Sequence, residues 1–233
     1  MATFTPSKYQ KTVYTYITRG KGNAVIDAVA GSGKSTTIVN ALKIIPSTKQ
    51  ILFLAFNASI VQELKIKIGN SPNVEVRTLH SLGMKAMIKA FKSQVEENKY
   101  TAWLNSGIQS GFIRPCSNLG DRRGEWKSNI LKLIDLGRVN LVRNESELDE
   151  LAFKHDLILL DNEIEKAIQG IRWGESETNI IDFTDMIYLP VVKNLHMYQF
   201  DWVFIDECQD LNAAQRSLFL KCVKKDRTFC SGW

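Results

Sequence analysis

Apolar positions along this chain follow two different periods. Tyr9, Val13, Tyr16 and Ile17 recur at helical spacing behind a Thr-Pro start, which predicts a helix over 7–19, ended by Gly20–Gly22. Asn23–Ala30 is instead a short, β-branched apolar run of the kind shown by a buried parallel strand. A Gly-rich turn, a helix over 34–45 closed by Pro46, and a second buried strand over 51–56 follow. Residues 58–68 read as a helix with Ile60, Val61, Leu64 and Ile68 on one side, 74–77 as a third strand, and 81–91 as a helix. The alternation then lapses. Segments 126–136, 147–153 and 156–169 look helical, and Gly107, Gly111, Pro115 and Gly120 mark a loop-rich stretch. It resumes with a helix over 182–193, a strand over 201–206, a helix over 212–224 and a short strand over 227–230. Interrupted βαβ repeats predict an α/β fold, a parallel sheet flanked by helices, with a mostly helical insertion.

Composition narrows the class without naming a function. Of 233 residues, 44% are hydrophobic and 24% charged, ordinary for globular chains, which excludes a disordered or low-complexity chain. The longest apolar runs, such as Ile51–Phe56, stop well short of the roughly 20 residues a membrane span needs. Met1–Lys11 carries no apolar signal core, so a soluble, cytoplasmic protein without a membrane partner is expected. Cys116, Cys208, Cys222 and Cys230 form no C-x-x-C pair, and His80, His155 and His196 are scattered; reduced packing cysteines fit better than a disulfide framework or a zinc site. Charge is uneven. Residues 1–80 carry a balance of +7, residues 84–143 of +6 and residues 144–178 of −7, within a net +5. The basic half suits a polyanion such as nucleic acid, and the acidic stretch reads as a solvated helical face.

One loop carries sharper chemistry. Ala28-Val29-Ala30-Gly31-Ser32-Gly33-Lys34-Ser35 fits G-x-x-x-x-G-K-[ST] except that Ala28 replaces the first glycine. It lies between a strand and a helix, where backbone N–H groups and the helix dipole meet phosphate oxygens. Ala30, Gly31, Ser32, Gly33, Lys34, Ser35 and Thr36 are therefore candidate ATP contacts, with Lys34 on the β/γ-phosphates and the Ser35 hydroxyl on Mg²⁺. Trp202-Val203-Phe204-Ile205-Asp206-Glu207 runs an apolar strand straight into two acids. Alone, such acids also fit a helix N-cap and first-turn charge. Beside the phosphate loop, Asp206 is the candidate metal ligand and Glu207 the general base.

Together AVAGSGKS and Asp206-Glu207-Cys208-Gln209-Asp210 resemble superfamily 1 helicases of the UvrD/Rep type, whose second motif reads D-E-x-Q-D. Phe4-Thr5-Pro6-Ser7-Lys8-Tyr9-Gln10 is similar to that family's Q motif, Leu54-Ala55-Phe56-Asn57 to motif Ia, Thr78-Leu79-His80-Ser81 to motif Ib, and Ile181–Ile187 to its D-F-x-D-L segment. The resemblance implies a RecA-like P-loop NTPase domain over 1–83 and 179–233, with a mostly helical subdomain inserted at 84–178. It implies adenine recognition by Gln10, and γ-phosphate sensing by Gln209 beside catalytic Lys34 and Glu207. Single-stranded DNA contacts would fall to Phe56, Asn57, Thr78, His80 and Ser81.

Physical chemistry leaves alternatives at several of these positions. Phe56 and His80 lie just past strand ends, where a ring stacks on a base, worth about 1–3 kcal/mol; Phe56 also fits core filler. Asn57 and Thr78 suit phosphate contact or helix capping, which are compatible. Arg122, Arg123, Trp126 and Lys127, near Arg114, form a basic aromatic cluster that fits a nucleic-acid backbone or a solvated loop. After Arg227-Thr228-Phe229-Cys230-Ser231-Gly232 the family's third motif continues Gly-Asp, whereas Trp233 stands here. The expectation is a helicase motor half that binds Mg·ATP and single-stranded DNA, or a single/double-strand junction. Unwinding would then require a second RecA-like domain, in cis or in trans. The alternative is a non-catalytic nucleotide- or DNA-binding homologue that regulates a partner.

Overall fold

Seven strands and ten α-helices are found among the described residues, which in this computed structural model are 5–28, 32–116, 119–224 and, as backbone, 229–232. The strands are β1 (Ala24–Asp27), β2 (Ile51–Ala55), β3 (Val74–Thr78), β4 (Gln94–Val95), β5 (Ile180–Ile181), β6 (Trp202–Ile205) and β7 (Phe229–Gly232). The helices are α1 (Lys8–Arg19), α2 (Lys34–Leu42), α3 (Ala58–Ile68), α4 (Leu79–Phe91), α5 (Lys99–Gln109), α6 (Arg123–Asn140), α7 (Glu145–Lys154), α8 (Glu163–Ser176), α9 (Phe183–Val192) and α10 (Ala213–Leu220). Packing divides the chain into two compact units, one of residues 1–82, 197–211 and 219–233, the other of residues 83–196 and 212–218.

The first unit is built on a five-stranded parallel sheet in the order β1-β7-β6-β2-β3. All five residues of β2 and all four of β6 are buried, because a central parallel strand is covered on both faces; this is why they read as unbroken apolar runs. On one face Phe53 stacks with Phe204 at 6.2 Å and Trp202 with Phe204 at 6.0 Å. Against these rings pack Ile17 of α1, Ile38 and Leu42 of α2, and Val61 and Leu64 of α3. Each such burial contributes about 1.5–3 kcal/mol. The N-terminal apolar run behaves differently from the expectation of a buried strand. β1 is one of the sheet's two outer strands, paired among the described residues only with β7, and Val25 is 69% exposed.

The second unit is helical, with the short pair β4–β5 at its edge. Its core gathers Trp126, Ile130, Leu133 and Ile134 of α6, Trp103 and Leu104 of α5, and Ile168 and Ile171 of α8. α5 lies mostly where the pattern suggested no element, and its last turn takes in Gly107, the first residue of the stretch read as loop-rich. Gly107 is instead a packing residue: a Cβ there would come within 2.4 Å of Ile113 Cδ1. α8 runs over 163–176 where the pattern suggested 156–169, because Asp156 and Asn162 take left-handed backbone (φ 52° and 61°) that interrupts a helix. In the cluster around Arg122, Arg114, Arg122 and Arg123 are solvent-exposed, as a solvated stretch would have them, but the aromatic residue is not. Trp126 is fully buried with its indole N–H donating to Asn162 Oδ1 at 3.0 Å, Arg122 pairs with Glu125 at 2.8 Å, and Lys127 donates to Asn105 at 2.8 Å. The acidic stretch is likewise more than a solvated face. Glu163 is buried and accepts from Asn129 Nδ2 at 3.1 Å and Leu160 N at 2.7 Å.

A buried ionic cluster ties this unit together. Asp185, fully buried on α9, accepts from Lys99 Nζ at 2.6 Å, Arg138 Nη1 at 2.9 Å and the Tyr100 hydroxyl at 3.0 Å. Arg138 also reaches both oxygens of Asp182 at 2.7 and 2.8 Å. Lys99 completes its bonding on the carbonyls of Gly174 and Glu177. No helix among the described residues is long and apolar enough to cross a membrane.

Candidate functional site

β1 delivers the chain at Asp27 to the glycine-rich loop, of which Ala30 and Gly31 lie outside the described residues. Gly33 caps α2 with φ 82°, a left-handed conformation that favours glycine. Its carbonyl accepts two hydrogen bonds from one residue, from Thr37 N at 2.9 Å and from the Thr37 hydroxyl at 2.9 Å. Ser32 and Thr36 are exposed and Ser35 is half-buried in the first turn of α2. Lys34 is more enclosed, its side chain 10% exposed, with Nζ 3.6 Å from Glu207 Oε1.

Strand register explains how Glu207 comes to meet a residue so distant in sequence. Ile205 at the end of β6 is level with Cys230 of β7, and Cys230 is level with Val25 of β1. Asp206 and Glu207 therefore leave the sheet at the same carboxyl edge as the glycine-rich loop. The two are separated by one strand, about 10 Å at the usual strand spacing. The Lys34 side chain bridges that separation. Asp206 is half-buried, and its N–H extends the ladder to Leu54 O at 3.1 Å. Glu207 adopts left-handed backbone (φ 52°, ψ 47°), strain of about 1–3 kcal/mol for a residue with a side chain. Its second carboxylate oxygen accepts from Gln209 Nε2 at 2.8 Å, which also donates to Asp210 Oδ2 at 3.2 Å. Lys34, Glu207 and Gln209 thus form one chain of contacts.

Ser35 and Asp206 offer a hydroxyl and a carboxylate, hard oxygen donors of the kind Mg²⁺ takes alongside substrate phosphates. No group of three or more His, Cys, Asp or Glu side chains among the described residues is arranged to hold a metal ion without such help. Gln10 sits on α1, next to α2. Its Oε1 accepts from Ser7 N at 2.9 Å in a capping box, and its Nε2 donates to the Thr37 hydroxyl at 2.9 Å. Thr37 is a functional candidate that the sequence reading missed. The only signal available was a hydroxyl placed four residues after a glycine, which is common in helices.

The second group of expected residues gathers along the same sheet edge. Ala55 is level with Thr78 and Leu54 with Ile205, so Phe56 and Asn57 after β2 emerge between the acids after β6 and the start of α4 after β3. Phe56 is 62% exposed, which removes the core-filler reading. Asn57 caps α3, its Oδ1 accepting from Ile60 N at 2.9 Å. Thr78 accepts from Ser81 N at 3.1 Å, and the Ser81 hydroxyl donates to Thr78 O at 2.9 Å. His80 is half-buried, and that burial lowers its pKa below the ordinary imidazole value. Beside Thr78 and Ser81, an open groove of about 460 Å³ runs between α3 and β3, lined by Gln62, Lys65 and Arg77 among others.

The sequence profile of the UvrD/REP helicase N-terminal domain matches residues 9–232. The chain belongs to the UvrD/REP helicase family. ATP-dependent DNA helicase PcrA of Staphylococcus epidermidis is 23% identical over 231 residues, covering 90% of this chain and 31% of that protein. ATP-dependent DNA helicase Rep of Buchnera aphidicola subsp. Baizongia pistaciae is 26% identical over 255 residues, covering 96% of this chain and 34% of that protein. The chain thus spans about a third of the length of the curated relatives it matches. As a UvrD/REP helicase N-terminal domain it has the helix-flanked parallel sheet of a RecA-like fold.

Proposed function

We propose that this chain is the ATP-binding motor domain of an ATP-dependent superfamily 1 DNA helicase, which translocates on single-stranded DNA and couples ATP hydrolysis to unwinding. The observation that carries this reading is the contact of Lys34 with Glu207 at 3.6 Å, backed by Gln209, at the carboxyl edge of a parallel sheet. A triphosphate entering at the N-terminus of α2 brings its γ-phosphate between these two side chains. Lys34 then exchanges Glu207 for the β/γ-oxygens, and the freed carboxylate accepts the proton of the attacking water. Ser35 and Asp206 are the residues that would hold Mg²⁺, and the ion would supply charge neutralisation for the triphosphate. Gln209 senses the γ-phosphate, and Gln10 reads the adenine. The residues of the glycine-rich loop, Ala30 to Ser35, and Thr36 cradle the phosphates.

Along the same edge, Phe56 and His80 stack on bases, while Asn57, Thr78 and Ser81 contact the DNA backbone. A second RecA-like domain, in the same polypeptide or in another, supplies the arginines that complete the ATP site; such residues are worth about 10³–10⁵ in rate in related NTPases. We place this motor in the cytoplasm of a bacterium, or of a host, where ATP and DNA occur together. Calorimetry with Mg·ATP on wild type and Lys34→Ala, followed by DNA-stimulated ATPase assays with a second domain joined, tests the reading. Wild type is expected to bind, K34A to lose binding, and single-stranded DNA to raise turnover of the joined protein. A wild-type chain that binds no ATP, or a joined motor indifferent to DNA, overturns it.

A further inference from the structure

Thr37 is 5% exposed, and its hydroxyl sits between two other polar groups. It donates to Gly33 O at 2.9 Å and accepts from Gln10 Nε2 at 2.9 Å. A hydroxyl has one proton. Because that proton is committed to the Gly33 carbonyl, the group facing Thr37 from Gln10 must be a donor. The other end of the Gln10 amide faces Ser7 N at 2.9 Å, a donor, and so must be the oxygen. The two neighbours therefore fix the amide in one of its two flip states. Among the described contacts this leaves one Nε2 proton and one Oε1 lone pair uncommitted, a donor–acceptor pair of set order.

We propose that Thr37 is a positioning residue for nucleobase selection: it locks the amide of Gln10 in the orientation that matches adenine. The proposal rests on the reading of Gln10 as the adenine contact. Adenine offers an acceptor at N7 and a donor at N6, which pair with Nε2–H and Oε1 respectively. Guanine offers two acceptors, N7 and O6, on the same edge, so a fixed Oε1 faces an oxygen. Without the lock, the amide must be ordered on each binding event, and part of the discrimination is lost. Since Gly33 accepts the same hydroxyl, the lock is anchored to the backbone that starts α2.

The test uses the 233-residue chain, with calorimetric affinities for Mg·ATP, Mg·GTP and inorganic tripolyphosphate. Thr37→Val keeps the shape and removes the hydroxyl, and Thr37→Ser retains the hydroxyl. In T37V the ATP-to-GTP affinity ratio is expected to fall about three- to tenfold, the range of one hydrogen bond. Tripolyphosphate binding should change less than about twofold, and T37S should restore the ratio. Gln10→Ala should lower the ratio, and adding T37V to Q10A should lower it no further. Thr37→Ala, which also removes the hydroxyl, takes the place of T37V if that variant does not fold. An unchanged ratio in T37V overturns the proposal, as does a loss of tripolyphosphate affinity parallel to that of ATP. Wild type failing to bind ATP removes the functional reading and this proposal together. Wild type binding ATP with an unchanged ratio in T37V removes the Thr37 role alone.

Discussion

Lys34 and Glu207 are 10% and 28% exposed at their side chains, so their attraction at 3.6 Å is only partly screened, and on the proposed reading a triphosphate would have to compete with it for the lysine. Glu207→Gln removes that competition while keeping shape and most hydrogen bonding. It is therefore expected to bind Mg·ATP at least as tightly as wild type, while turnover in the joined motor falls about 10²- to 10⁴-fold through loss of the base. Equilibrium titration and single-turnover hydrolysis measure the two arms; tenfold weaker binding in E207Q excludes the competition. His80 makes a second residue-level prediction. Burial disfavours its charged form, so its folded pKa lies below the ordinary value of about 6.5. The unfolded chain then binds the proton more readily, and this group's contribution to stability is lost as pH falls below about 6.5. An NMR titration of the His80 ring should show the lowered value, and His80→Gln should flatten the dependence of stability on pH just below about 6.5. At this scale the sequence singled out Lys34, Asp206 and Glu207 because their motifs are contiguous, and the structure brings Lys34 and Glu207 within 3.6 Å. Thr37 stayed hidden because its contact is with Gln10, a partner brought in by the packing of a different helix.

Helices α5, α6, α8 and α9 converge on the ionic cluster centred on Asp185, where Lys99, Arg138 and Tyr100 all donate to one fully buried carboxylate. Such a cluster is costly to break from one side. Asp185→Ala leaves two cations, 1% and 4% exposed at their side chains, with the carboxylate of Asp182 on Arg138 and only backbone carbonyls accepting from Lys99. The variant is expected to lose about 3–5 kcal/mol in urea unfolding. A loss below about 1 kcal/mol would mean that water or a rearranged partner satisfies the cations. The same elements show what was legible and what was not. β2 and β6 were readable because central parallel strands are apolar on both faces. β1 carries a similar apolar run, yet it lies at the sheet's edge, and run length alone does not report how many neighbours a strand has. The last turn of α5 was hidden by Gly107, whose missing Cβ serves contact with Ile113 within the helical unit rather than a turn. The acids of Ile181–Ile187 were legible as a family segment, but their work is structural: Asp182 and Asp185 form the capping box of α9 while holding Arg138.

Across the whole chain the net charge of +5 conceals a basic N-terminal half and an acidic stretch over 144–178. Several of the basic residues are already engaged: Lys34 with Glu207, Lys67 with Glu63, and Arg77 with Glu75. Others are open to solvent, as along α1, where Lys8, Lys11 and Arg19 line an exposed groove of about 710 Å³. If single-stranded DNA is held by a few such cations together with stacking on Phe56, the two contributions respond differently to salt. Each neutralised phosphate adds about −0.7 to the slope of log K against log salt for single strands, so three to five contacts give roughly −2 to −3.5. Stacking on the 62% exposed Phe56 ring releases no counterion, so Phe56→Ala should weaken binding by the loss of about 1–3 kcal/mol at every salt concentration and leave the slope unchanged. Fluorescence anisotropy with labelled oligo-dT over about 50–200 mM KCl resolves both. A slope near zero would remove the polyanion from the account of the basic half. A slope that changes in F56A would mean that the ring acts by placing cations, and that base stacking is not what holds the strand at this edge.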